Sequence, residues 1–114
     1  MGMDVIGMNP TSREGEYFCR NIWGWRPLAE IVTTVAPESV GDDREKWFYN
    51  DGYGLNAAQS LQLAERLETA LTDGSIDDCL DKLRARHPED YRLVRFSITD
   101  FIAFLRASGG FQIW

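Results

Sequence analysis

A mostly helical α+β fold, about five helices with a small sheet of two to four short strands, is the expectation for this chain of 114 residues. Three observations lead there. Apolar residues recur at i, i+3, i+4 and i+7 in several windows, the period of a helix with one buried face. Glycine and proline punctuate the chain between those windows. Asp4-Val5-Ile6 near one end and Phe111-Gln112-Ile113-Trp114 at the other are short and strand-like. Neither a repeat nor a linker-like stretch divides the chain, so residues 1–114 are expected to form one compact domain.

In chain order, Asp4-Val5-Ile6, closed by Gly7, reads as a brief strand and Asn9-Pro10 as a turn. Thr11 and Glu14 have capping-box spacing, so a helix is expected from there. Phe18, Ile22 and Trp25 would form its stripe, Gly24 would weaken its end, and Pro27 would stop it by disfavouring helix at Arg26. Pro27 then suits the first turn of a second helix, with Leu28, Ile31, Val32 and Val35 buried and Pro37 beyond its end. Residues 38–56 read as a connection, with a short strand at Trp47-Phe48-Tyr49 and turn chemistry at Asn50-Asp51-Gly52 and Gly54.

Asn56 and Gln59 mark the start of a third helix carrying Leu63, Ala64, Leu67 and Leu71, and Gly74 ends it. Ser75 opens a fourth, with Ile76, Cys79, Leu80 and Leu83 inward and Pro88 closing it. Leu93, Val94 and Phe96 form a short strand-like step. Ser97 and Asp100 have N-cap spacing for a last helix with Ile98, Phe101, Ile102, Phe104 and Leu105 on its apolar face, terminated by Gly109-Gly110. The simplest sheet uses 3–6, 46–49 and 111–114, and Trp114 is expected to pack rather than dangle.

The composition excludes several classes. Hydrophobic residues are 44% and charged residues 26%, as in globular proteins and unlike disordered ones. Net charge is −6, from 18 acids and 12 bases, the opposite of what phosphate neutralisation requires, so nucleic acid is not an expected partner. An anionic membrane surface is disfavoured for the same reason, and no apolar run approaches the length of a membrane span. The charge is uneven: residues 37–81 hold eleven acids and three bases, whereas residues 82–114 hold six bases and three acids. Two cysteines sixty residues apart, Cys19 and Cys79, read as reduced small apolar residues, and a leader is absent from Met1 to Pro10, so a cytoplasmic location is expected.

Reactive chemistry finds little support. The chain has no GxSxG elbow and no phosphate loop, and Gly52-Tyr53-Gly54 is a lone GxG. The one histidine, His87, sits before Pro88 where a helix C-terminus would hold it towards solvent. Neither glycine of Asn50–Asn56 puts an acid at the first position of a calcium loop. Asp42-Asp43 and Asp77-Asp78-Asp81 lie in acidic, solvated stretches rather than apolar pockets. No catalytic residue, metal ligand or cofactor is expected, and the reading points away from an enzyme.

The unusual feature is aromatic. Tyr17, Phe18, Trp23 and Trp25 lie among Arg20 and Arg26, and Trp47, Phe48, Tyr49 and Tyr53 form a second group. A small core built of large rings accounts for both groups. So does a binding surface with arginine stacked on indole. On the second account the chain is a non-catalytic interaction or accessory protein, with a protein partner or a homo-oligomer. The alternative is a small-molecule binder or small enzyme with a pocket near Trp23, Trp25, Arg26, Asn50 and Asp51. A third reading, nucleic-acid contact through Arg84, Arg86, Arg92 and Arg95, is the weakest.

The stretches GMNPTSREGEYFCRNIWGWRPL (7–28), NDGYGLN (50–56) and FIAFLRASGGFQIW (101–114) resemble a family of small uncharacterised bacterial and phage-associated proteins. The resemblance covers both ends and one central motif, and implies no activity and no catalytic residues. Members of that family are similar in carrying WWW before Arg-Pro, where this chain has Gly24 in the middle, and some carry a cysteine-rich insertion before the last helix that this chain lacks.

Overall fold

A computed structural model describes residues 2–86 and 94–114, with the backbone alone at residues 22, 23, 86 and 94–96. The fold is α+β and mostly helical. Its described elements are β1 (Gly2–Gly7), a 3-10 turn (Arg13–Gly15), β2 (Tyr17–Asn21), α1 (Ile22–Val35), α2 (Pro37–Val40), a 3-10 segment (Gly41–Phe48), β3 (Gly54–Asn56), α3 (Ala57–Asp73), α4 (Ser75–Arg86), α5 (Val94–Ser108) and β4 (Gly110–Ile113). All pairings are antiparallel and the strand order is β2-β1-β4-β3, so the two strands from the chain ends form the middle of the sheet.

The pleat divides the sheet into two faces. Met3, Val5, Phe18, Leu55, Phe111 and Ile113 point towards the helices and are buried. Asp4, Ile6, Tyr17 and Cys19 point away and are exposed. One core joins the inner face to α1, α3, α4 and α5, with Trp25, Trp47, Phe101, Phe104 and Phe111 as its largest fully buried side chains.

Several sequence expectations take a different form. No helix runs from Thr11 to Trp25: Tyr17–Asn21 is a strand paired along β1, and only Arg13–Gly15 is helical before it, as one 3-10 turn. The expected stripe joins Phe18 of the strand to Ile22 and Trp25 of the next helix. Pairing with β1 prevails because Phe18 then faces inward opposite Val5, while its neighbours Tyr17 and Cys19 take the outer face. The functioning cap is Asn21, whose side chain accepts the Gly24 N–H at 2.9 Å. Pro27 stops nothing. It lies inside α1, where it forgoes the bond to the Trp23 carbonyl while packed in the interior.

Trp47-Phe48-Tyr49 is not a strand either. Trp47 and Phe48 belong to the 3-10 segment, and Gly54–Asn56 supplies the strand beside β4. Val94 and Phe96 are helical within α5, which extends ahead of Ser97. Leu93, His87 and Pro88 lie outside the described residues. The capping box at Asn56 and Gln59 forms, with both bonds present at 2.8 and 2.9 Å. Gly74 ends α3 in the left-handed conformation, and Gly109 and Gly110 end α5 with positive φ.

Candidate functional site

Trp25 offers no face to a ligand, which corrects its place in an arginine–aromatic surface. It is fully buried, its indole N–H donates to the Trp47 carbonyl at 2.7 Å, and its ring stacks on Trp47 at 6.3 Å with Phe101 edge-on at 5.9 Å. Its sequence neighbour Arg26 lies on the exposed side of α1, with no carboxylate partner among the described residues. Asn50 and Asp51 are exposed on the turn before β3. The side chain of Trp23 lies outside the described residues. The aromatic groups thus serve chiefly as core, and burial pushes the Tyr53 phenol up, with the charge of Asp43 adding to the effect.

The exposed apolar surface lies elsewhere. Ile6 is 43% exposed, Met8 57%, Tyr17 52% and Trp114 50%, high values for large apolar side chains. The registers place them together on the outer face of the sheet. Tyr17, Ile6, Gln112 and Gly54 form one row across all four strands. The next row runs from Cys19 through Asp4 to Trp114, whose backbone N–H donates to the Asp4 carbonyl at 2.6 Å. Beyond lies Gly52, where an added Cβ would meet the Trp114 ring at 2.7 Å. At the glycine-paved end, Met8, Gln112, Gly52, Gly54 and Gly110 border a hollow of about 420 Å³. The Tyr17 hydroxyl donates to the Asp4 carboxylate across the first row boundary, which raises the phenol above its ordinary range.

Among the described residues no strand pairs with the far side of β2, so this face ends at an open edge there. The Gly7 N–H donates to the Glu16 carbonyl at 3.1 Å, in register with the β1–β2 ladder. Antiparallel alternation then turns the main-chain groups of Phe18 and Arg20 towards β1 and those of Tyr17, Cys19 and Asn21 outward. Arg20 guards that edge from the inner side. Its guanidinium lies 4.3 Å from the Phe18 ring centroid and donates to the Cys19 carbonyl at 2.7 Å, to Asp100 at 3.1 Å and to the Ser97 hydroxyl at 3.2 Å. Beside it, β2 and α5 enclose a groove of about 390 Å³ floored by Phe18, Ala103 and Phe104 and bordered by Glu14 and Asp100.

What this arrangement offers is contact: main-chain hydrogen bonds along an edge and apolar area beside it. Cys19 is exposed and Cys79 half-buried, and the two are not joined by a disulfide. Among the described residues no cluster of three or more His, Cys, Asp or Glu is spaced to hold a metal, and no helix is long and apolar enough to cross a membrane. Sequence reasoning placed Tyr17 in an arginine–aromatic group but did not single out Ile6 and Met8 as surface residues. Helical spacing at Phe18, Ile22 and Trp25 hides the strand at 17–21, and strand order rather than a local pattern decides which of its side chains stand on the outer face. No protein family, curated protein or solved structure matches the chain.

Proposed function

We propose that this protein is a non-catalytic binding module that engages a protein partner through the outer face of its sheet and the adjoining β2 edge. One observation carries the reading: Ile6, Met8, Tyr17 and Trp114 stand side by side on a face that no described element covers. A monomer gains nothing by holding such side chains in water, and contiguous apolar area beside an unpaired strand edge is what strand-adding and face-packing partners use. The setting that fits is a reducing cytoplasm, in keeping with an exposed Cys19 that is not in a disulfide.

A photo-crosslinking residue at position 6 tests this, with position 62 on exposed α3 as the control. Irradiation in cells is expected to give discrete adducts from position 6 that position 62 does not give, and Met8→Ser should reduce them without changing the melting temperature. Equal adduct patterns from the two positions would refute the reading.

A further inference from the structure

We infer that the partner at the β2 edge is a second copy of this chain, paired antiparallel about Cys19. The inference rests on the reading above, that this side of the sheet is the working one. Three features of the edge are self-complementary. First, the outward main-chain groups are those of residues 17, 19 and 21, which are symmetric about Cys19. Two copies related by a two-fold axis there exchange both Cys19 N–H···O=C bonds, and each Asn21 N–H reaches the other copy's Tyr17 carbonyl. Second, this register sets Phe18 opposite Arg20 of the other copy, so the guanidinium–ring contact seen within the chain has a counterpart between chains.

Third, the charges match. The same register sets exposed Glu16 opposite Ile22, the first residue of α1. That helix has 14 residues and no acid in its first turn, so its positive N-terminus lacks a carboxylate that Glu16 of the second copy supplies. No two like charges face each other between residues 16 and 22. Pairing merges two four-stranded sheets into one of eight, with Ile6 and Tyr17 of both copies on one continuous outer face. Arg20 sets the terms. Its bond to the Cys19 carbonyl must give way to the second copy's Cys19 N–H, while its contacts to Asp100 and Ser97 remain. An inward charge of this kind on an edge strand keeps pairing reversible and discourages open-ended aggregation.

Sedimentation equilibrium of the reduced protein, followed by diamide oxidation and peptide mapping, tests the pairing. Paired Cys19 residues have Cα atoms about 5.5 Å apart, within disulfide range. The expected result is a concentration-dependent dimer whose cross-link joins Cys19 to Cys19. Cys19→Pro removes an outward N–H and the thiol while sparing the main-chain bonds of β2 to β1, and should give a folded monomer by circular dichroism. Should that variant misfold, Glu16→Lys decides, with dimer affinity expected to fall by about threefold to tenfold at low salt and by less at high salt. A reduced protein that stays monomeric at every concentration overturns the inference, as does a dimer indifferent to Glu16→Lys or cross-linked elsewhere. If position 6 still yields adducts to a different protein, only the self-pairing fails; if those adducts are absent too, both readings fail.

Discussion

Trp25 and Arg26 are adjacent in sequence and opposite in consequence. The Trp25 ring is enclosed by Trp47 and Phe101, and its N–H is the partner of a buried carbonyl. Trp25→Ala should therefore cost about 3–5 kcal/mol in urea unfolding, the range for deleting a large buried aromatic. Trp25→Phe keeps most of the apolar contact but strands the Trp47 carbonyl, and should cost about 1–3 kcal/mol. Arg26→Ala, on the exposed side of the helix, should change stability by no more than about 0.5 kcal/mol. Comparable losses at the two positions would contradict the orientation of α1 described above. The pair also shows why an arginine beside tryptophan misleads: a helix turns consecutive side chains by about 100°, so adjacency in sequence does not make a shared surface.

Among the elements, α3 shows how a helix's limits are set by local residues. Asn56 and Gln59 cap each other's main chain at its start, and Gly74 supplies the left-handed residue at its end. Asn56→Ala should lower stability by about 1 kcal/mol and Asn56→Gly by only a few tenths, since glycine tolerates the cap conformation. Helices with local signals of this kind, α3, α4 and most of α5, are legible in the sequence, as are β1 from its short apolar step closed by Gly7 and β4 from its alternation. The segment from Thr11 to Pro27 is not, because what decides it is distant: Phe18 pairs opposite Val5, and Gly15 packs where any Cβ would strike the Ala107 carbonyl. Strand pairing overrides a local helical spacing there. The candidate site shares that difficulty. The exposure of Ile6 and Tyr17 follows from strand order, which no local pattern encodes. Gly52 marks where the turn meets that face. It combines φ of +89° with the Trp114 ring directly above, so Gly52→Ala should destabilise the protein by about 1–3 kcal/mol and shift the tryptophan emission as Trp114 is displaced.

For the molecule as a whole, stability should form a plateau in pH with a limb on each side. On the acid side, Arg106 donates to Glu68 at 2.7 and 2.9 Å, tying α5 to α3 and holding the Glu68 carboxyl below its ordinary range; the Ser75 hydroxyl and N–H do the same for Asp73 where α3 meets α4. Lowered folded values mean that the unfolded chain takes up protons first. Their contribution is therefore complete above the ordinary carboxylate range, about pH 4, and is lost as pH falls through the folded values. On the alkaline side the sense reverses. Asp4 keeps the Tyr17 phenol protonated to higher pH in the folded state, so that contribution is complete below about pH 10 and is lost as pH rises further. These groups are exposed and screened, so each effect is modest. The two limbs are nonetheless separable by substitution, because they belong to different parts of the fold. Glu68→Gln should flatten the acid limb and leave the alkaline one unchanged. Tyr17→Phe should do the opposite, and because Tyr17 stands on the outer face beside the β2 edge, burying it in a partner should carry the alkaline limb to higher pH. Melting temperatures across the pH range, with and without 1 M salt, measure both; a Tyr17→Phe variant with an unchanged alkaline limb would show that the Tyr17–Asp4 bond does not form in solution.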